Sequence, residues 1–292
     1  MYGHKDKLIA SFLTLIGVFI ILLVIGIFGL LISNSFAAWQ EIGLRDFLGS
    51  TVWNPSGYQS NSYGILGMIA STLLVTAGAM LTAVSVGIAC ALYLAEIAAP
   101  WEREIIKPIV EILAAIPSVV LGFFGIVVLA PLLARLLHLN NGLNALNGSL
   151  LLALMSLPTI ISIAEDALNS VPQEYKEASL ALGATRMQTL LKVSLPTAAS
   201  GVTAAVLLGI GRAIGETMTV IMATGNALAF PSGFLSSVRT MTATIAAELG
   251  EVPYNSLHYQ ALFAIGFLLF ALSFVISLVA DYFLQRAAER SK

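Results

Sequence analysis

The chain has 292 residues, of which 58% are hydrophobic and only 10% charged, and its formal net charge is −2. Soluble domains carry about 25% charged residues, so this composition excludes an ordinary water-soluble protein, and the near-neutral balance gives no indication of nucleic-acid binding. The single cysteine, Cys90, excludes an intrachain disulfide framework, and because the histidines lie outside the apolar stretches we expect neither a metal site nor a bound cofactor.

Six apolar stretches are long enough to cross a bilayer as helices, which takes about 20 residues each. They cover residues 8–32, 68–94, 110–133, 149–168, 198–224 and 261–280. Two lysines precede the first stretch, but its apolar run exceeds the roughly 7–15 residues of a signal peptide, so we expect a retained span. No linker, repeat or low-complexity tract divides the chain. We therefore expect an all-α, polytopic membrane protein with one transmembrane domain over residues 1–292.

The Lys and Arg residues of the connections indicate the orientation of the chain. Most of them fall on the side that also holds both termini, whereas the opposite side holds Arg45, Arg135 and Arg239. Because cytoplasmic connections are enriched in Lys and Arg, we expect both termini in the cytoplasm. The first outer connection, residues 33–67, is rich in aromatic residues that suit an anchor at the membrane interface, among them Trp39, Trp53, Tyr58 and Tyr63.

The cytoplasmic connection between the fourth and fifth stretches contains two helix-start patterns. Ser170 and Gln173 have the spacing of a capping box, and Thr185 and Gln188 repeat it. Gly183 lies between them, where it can end the first helix in a left-handed conformation. The pattern predicts a rigid helix–Gly–helix corner through which a partner could push on the spans. An ordinary interfacial hairpin is the alternative.

This connection, residues 169–197, resembles the EAA loop of ABC-importer permeases, which reads E-A-A, three residues, G, nine residues, I, one residue, L-P. The positions that carry the match are Glu177, Ala178, Ser179, Gly183, Leu195 and Pro196. The sequence departs from the pattern at Ser179 and at Val193. The resemblance implies that the first helix docks on a nucleotide-binding subunit, with Glu177 and Gly183 at that interface. No Gly-x-x-x-x-Gly-Lys run occurs, so we expect a transport subunit whose ATPase is a separate chain.

The fifth stretch contains a charged pair, Arg212 and Glu216. An arginine at the centre of a membrane helix costs about 2.5–3.5 kcal/mol on insertion scales, so such residues usually have a function. Glu216 is four residues further on, which predicts that it shares a helix face with Arg212. We expect an anion site on a substrate path, with Thr217 and Thr219 as weaker contacts. A self-neutralising pair without further function is the alternative.

Three segments resemble phosphate-importer permeases: Ile116–Gly125, Gly211–Met218 and Thr240–Glu248, the last being more like PstC than PstA. The resemblance implies a type I, MetI-like permease fold and transport of inorganic phosphate across the cytoplasmic membrane. It also implies a heterodimer with a PstA-like permease, two PstB-like ATPase subunits and a PstS-like periplasmic binding protein. The last outer connection, residues 225–260, contains a helix-like stretch that could line an outer vestibule or contact a partner.

Two alternatives change the cargo or the mechanism. A permease for another small oxyanion, such as molybdate or sulfate, would have the same architecture. A passive anion channel would not need the capped corner. An intramembrane protease is disfavoured, because no span contains a histidine and the Arg212–Glu216 pair is neither a nucleophile with its base nor a pair of acids.

Overall fold

Long apolar runs with few breaks fold into α-helices along most of this chain, which confirms the predicted all-α class. The computed structural model describes residues 4–57 and 61–290, and side chains over 8–57 and 61–285. Tyr58 of the first connection lies outside that part. A two-stranded antiparallel ribbon, β1 (Trp53–Asn54) with β2 (Ser62–Tyr63), lies in the same connection.

The helices follow one another in this order: α1 (His4–Glu41), α2 (Leu44–Gly49), α3 (Leu66–Ile97), α4 (Pro100–Ala115), α5 (Ser118–Leu136), α6 (Ala145–Asn169), α7 (Gln173–Ala181), α8 (Arg186–Thr197), α9 (Ala199–Gly215), α10 (Met218–Ala223), α11 (Met241–Glu248) and α12 (Leu257–Arg290).

Within the described residues, α1, α3, α5, α6 and α12 are each long and apolar enough to cross a membrane. The helices α8 and α9 meet at an angle of 70° and together would form a sixth crossing. The six expected spans therefore correspond to five continuous helices and one bent pair. Helix α1 packs against α12, where the ring of Phe28 lies 5.6 Å from that of Phe267 and 5.7 Å from that of Phe270.

The third span differs from its predicted bounds of 110–133. Helix α4 ends at Ala115, and α5 begins at Ser118. Between them Ile116 is extended, with φ −66° and ψ 124°, because it precedes Pro117 and a following proline disfavours the helical conformation. The sequence stays apolar through this break, so the predicted span, which rests on apolar length alone, combined the end of α4 with most of α5.

The fifth span is also broken, within the predicted range 198–224. Helix α9 ends at Gly215, and Glu216 adopts an extended conformation with φ −69° and ψ 133°. Helix α10 then covers Met218–Ala223. The chain thus carries a short non-helical turn inside an apolar stretch, which membrane proteins tolerate only where the backbone is buried in protein or lines a water-filled cavity.

Two buried clusters surround this region, and the first of them includes Ala213 and Val220 on either side of the turn. The first packs α3, α6, α9 and α10 together and includes Ile160 and Val220. The second packs the ribbon and α2 against α12 and includes Phe47. Helix α11 belongs to both, because Ala243 lies in the first cluster and Met241 in the second. This short helix therefore connects the region of the broken span to the ribbon.

Candidate substrate path and helix–Gly–helix corner

Arg212 lies in the last turn of α9 on an exposed face of the chain. Its Nη1 donates a hydrogen bond to the hydroxyl of Thr159 on α6, over 3.1 Å. A guanidinium has five N–H donors in a planar fork, so this one contact leaves most of them directed elsewhere. Thr159 is a contact that the sequence did not indicate, since 53 residues separate it from Arg212.

The predicted pairing of Arg212 with Glu216 on one helix face is wrong. The i, i+4 relation requires a continuous helix, and α9 stops at Gly215. Among the described side chains, neither Arg212 nor Glu216 takes part in an ion pair. The Glu216 carboxylate instead accepts a hydrogen bond from the Thr219 backbone N–H over 3.2 Å, at the start of α10. The guanidinium charge of Arg212 is therefore not neutralised by Glu216 in this structure.

The two predicted threonines occupy different environments. Thr217 is half-buried, and its hydroxyl donates to the Gly215 carbonyl over 3.3 Å. Thr219 is fully buried, and its hydroxyl donates to the Ser118 carbonyl of α5 over 3.0 Å. A hydroxyl has one proton to donate. Thr219 therefore holds the turn against α5 and does not present a donor to an anion.

A further contact fixes the turn from the side of α11. The Thr242 hydroxyl donates to the Glu216 carbonyl over 2.8 Å. That carbonyl lies beyond the end of α9, so it has no donor within the helix and needs one from another part of the chain. The local sequence gives no sign of this contact, because 26 residues separate Thr242 from Glu216.

The helix–Gly–helix corner, residues 173–197, has the geometry that its sequence predicts at Gly183. This glycine has φ +86°, and its N–H bonds the Leu180 carbonyl over 2.9 Å. The N–H of Ala184 bonds the Ser179 carbonyl over 3.2 Å. These two bonds define a Schellman motif, in which the left-handed residue is usually glycine.

The two predicted capping boxes have different outcomes. Thr185 and Gln188 form theirs, with bonds of 3.2 Å and 2.9 Å between side chain and backbone. The first one is wrong, because Ser170 ends α6, and its hydroxyl donates to the Asp166 carbonyl over 2.8 Å. Pro172 occupies the N-cap of α7 in an extended conformation, so the helix restarts after the proline.

Three contacts join the corner to the membrane helices and to itself. The hydroxyls of Ser179 and Thr189 lie 3.0 Å apart and link α7 to α8. The ammonium of Lys176 lies 2.7 Å from the carboxylate of Glu96 at the end of α3. Leu195 packs against a buried cluster shared by α3, α6 and α9. A force on α7 would therefore reach α3 and α9 together.

The surface of the corner is open. Glu177, Ala178, Gly183 and Pro196 are all exposed. The side chain of Leu182, at the tip beside Gly183, is 90% exposed. Tyr175 and Met187 of the same corner are half-exposed, so the corner leaves several large apolar side chains at its surface.

The sequence profile of the family "Binding-protein-dependent transport system inner membrane component" matches residues 83–289, which include the corner and the broken span. The chain belongs to this family. The permease is 39% identical over 241 residues to the probable ABC transporter permease protein YqgH of Bacillus subtilis (strain 168), covering 82% of this chain and 78% of that one. It is 34% identical over 292 residues to the phosphate transport system permease protein PstC of Mesorhizobium japonicum, and the match covers 93% of this chain and 88% of that one.

The fold is shared with a solved chain of the MetNI methionine ABC transporter. That match has a TM-score of 0.58 at 21% sequence identity and covers 76% of the permease and 95% of the MetNI chain. The predicted type I, MetI-like fold and the resemblance to ABC-importer permeases are thus confirmed. The permease is a multi-pass inner-membrane transport subunit that works with a binding protein.

Proposed function

We propose that this permease carries inorganic phosphate into the cytoplasm, driven by ATP hydrolysis in a separate subunit. The observation that carries the proposal is the position of Arg212, whose guanidinium sits beside a non-helical turn inside the membrane region without a neutralising Glu216. Such a charge is costly in a membrane unless it meets an anion or water. The PstC name of the Mesorhizobium japonicum relative supports phosphate as that anion.

Arg212 has the chemistry that an oxyanion site needs. Its planar fork can donate paired, charge-assisted hydrogen bonds to two oxygens of one anion. Its contact with Thr159 fixes the guanidinium from the side of α6. The face that carries Arg212 is exposed in the single chain. A second, PstA-like permease subunit packed on that face would enclose the path between the two chains.

Glu216 adds a means of selection between anions. At neutral pH phosphate keeps at least one proton, whereas sulfate has none. An ionised carboxylate is an acceptor only, so it can take a hydrogen bond from a phosphate hydroxyl but repels sulfate. One oxygen of Glu216 accepts the Thr219 N–H at the start of α10, and the second oxygen could accept a hydrogen bond from such a ligand.

Replacing Glu216 by glutamine tests this selection. The amide keeps the size and the acceptor for the Thr219 N–H but loses the charge and gains a donor that sulfate can use. We expect the ratio of sulfate to phosphate affinity to rise by about tenfold, the equivalent of one charged hydrogen bond. The measurement is direct binding of both anions to the purified permease, so that the binding protein plays no part.

Glu111→Gln is the matched control, since it removes the same charge from an exposed position on α4. It should leave the ratio unchanged. If Glu216→Gln changes the affinity for both anions by the same factor, Glu216 has no selective role.

The corner supplies the contact through which ATP hydrolysis would act. We infer that the face with both termini and the corner is cytoplasmic, and that two PstB-like ATPase subunits serve the heterodimer. The exposed Glu177 and Leu182 offer a charge and an apolar side chain to such a partner. A PstS-like binding protein would deliver phosphate at the opposite face.

Leu182→Asp tests the docking surface. The leucine makes little contact within the chain, so its loss should not affect folding, whereas a charge in an apolar interface is unfavourable. We expect the amount of ATPase that co-purifies with the membrane-extracted permease to fall by about tenfold or more. Tyr254→Asp, at a side chain that is 82% exposed on the opposite face, is the control and should retain the ATPase. Equal recovery from both variants would remove Leu182 from the interface.

The cargo itself is tested by uptake of radiolabelled phosphate into cells that lack their own phosphate importers and express the permease with its partner subunits. We expect uptake that excess unlabelled phosphate abolishes and that excess sulfate or molybdate leaves unchanged. Competition by sulfate or molybdate at equal strength would assign the permease to another oxyanion.

A further inference from the structure

A network of hydrogen bonds surrounds Glu248, in the last turn of α11 on the outer side. Arg239 Nη1 lies 2.6 Å from its Oε1, and the indole N–H of Trp53 donates to its Oε2 over 3.0 Å. Nε2 of His258 lies 2.8 Å from the same Oε2. Because a carboxylate only accepts, this ring nitrogen carries the proton. One carboxylate thus receives three donors.

The members of this network come from separate parts of the chain. Trp53 belongs to the ribbon, Arg239 to the connection after α10, and His258 to the first turn of α12. The side chains of Arg239, Glu248 and His258 are only 12%, 18% and 19% exposed, and Trp53 is buried. Water therefore screens these contacts little, and removing their acceptor should have a large effect.

The other end of α11 reaches the substrate path. The hydroxyl of Thr240 caps the helix by accepting the Ala243 N–H over 3.2 Å, and it lies 3.0 Å from the hydroxyl of Thr242. Thr242 in turn donates to the Glu216 carbonyl. Helix α11 is therefore held at its last turn by the Glu248 network, and its first turn holds the backbone of Glu216.

We propose that Glu248 is a positioning residue for the substrate path, acting through α11 on the turn at Glu216, which rests on the proposed function. Helix α11 has eight residues, too few to be stable or fixed in position without tertiary contacts. Its placement depends on these contacts. Met241 and Ala243 pack in the two buried clusters, and the Met241 N–H donates to the Thr72 hydroxyl over 3.1 Å. The Glu248 network holds the outer end, so it contributes to the position from which Thr242 reaches Glu216.

Glu248→Gln is the variant that tests this role. An amide of the same size presents an N–H₂ group to neighbours that are all donors, so at least one contact must open. Uptake of phosphate per membrane-inserted permease should fall by about tenfold, with normal abundance and normal recovery of the ATPase subunit. Glu251→Gln, three residues further on at an exposed position, is the matched control and should behave as wild type.

A double-mutant cycle with Thr242→Val separates positioning from a general loss of stability. This substitution removes the hydroxyl that holds the Glu216 carbonyl and keeps the shape of the side chain. If Glu248 acts through α11, the double variant should take up phosphate about as well as the weaker single variant, because both changes release the same contact.

If the two substitutions lower uptake independently, so that their factors multiply in the double variant, the proposal is overturned. It is also overturned if Glu248→Gln lowers only the abundance of the permease and leaves uptake per permease unchanged. Wild-type uptake in Glu248→Gln would overturn it as well. The wild-type permease in the same assay separates a failure of the proposed function from a failure of this proposal. If the wild type takes up no phosphate, the proposed function fails. If the wild type and Glu248→Gln take up phosphate equally well, only the role of Glu248 is removed.

Discussion

Replacing Arg212 by alanine is expected to lower phosphate uptake by at least about a hundredfold, since two charge-assisted hydrogen bonds of about 1.5–3 kcal/mol each are lost. Arg212→Lys keeps the charge but loses the planar fork, so it should restore only a small part of the uptake. The measurement is initial uptake rate per membrane-inserted permease.

Two further variants show whether the effect belongs to this position. Arg135→Ala removes an exposed arginine from the last turn of α5, and it should leave uptake near wild type. Thr159→Val removes the hydroxyl that accepts the Arg212 hydrogen bond and should lower uptake less than Arg212→Ala does. Wild-type uptake by Arg212→Ala would show that the residue is structural and that the substrate path lies elsewhere.

Gly183→Val is expected to uncouple ATP hydrolysis from transport. Nothing lies within 4 Å of the position that a Cβ atom would occupy, so a β-carbon meets no steric obstacle there. Its effect comes from the backbone, because a left-handed conformation costs about 1–2 kcal/mol for an ordinary residue and more for a β-branched one. The corner would relax, and phosphate-stimulated ATPase activity and uptake should both fall by about tenfold or more.

Gly183→Asn is the matched control for this prediction. Asparagine tolerates the left-handed conformation and often replaces glycine at helix ends, so it should retain most coupling. Both variants should insert into the membrane in equal amounts. Normal uptake together with normal stimulated ATPase activity in Gly183→Val would remove the corner from energy coupling.

The sequence predicts the membrane helices well, because their apolar length is a local property that survives folding. It also predicts the left-handed Gly183 and the capping box of Thr185, which depend on a few adjacent residues. Ser170 shows the limit of such patterns, since Pro172 moved the start of α7 past the expected cap.

The substrate path was predicted less completely, for a physical reason. The expected pairing of Arg212 with Glu216 assumed one continuous helix, and no proline marks the break at Gly215. The contacts that define the site come from distant parts of the chain: Thr159 reaches Arg212 from α6, and Thr242 reaches Glu216 from α11. Packing between helices decides such contacts, and a single sequence does not contain that information in its local pattern.

Import of phosphate at the expense of ATP is the activity that we propose for this permease. Its most direct test is phosphate accumulation in proteoliposomes that contain the purified permease, its second permease subunit and the ATPase, with the binding protein outside and ATP inside. We expect accumulation against a gradient that requires ATP and is lost in Arg212→Ala. Phosphate entry that needs no ATP, or ATP-driven import of sulfate but not phosphate, would show that the permease is not an ATP-driven phosphate importer.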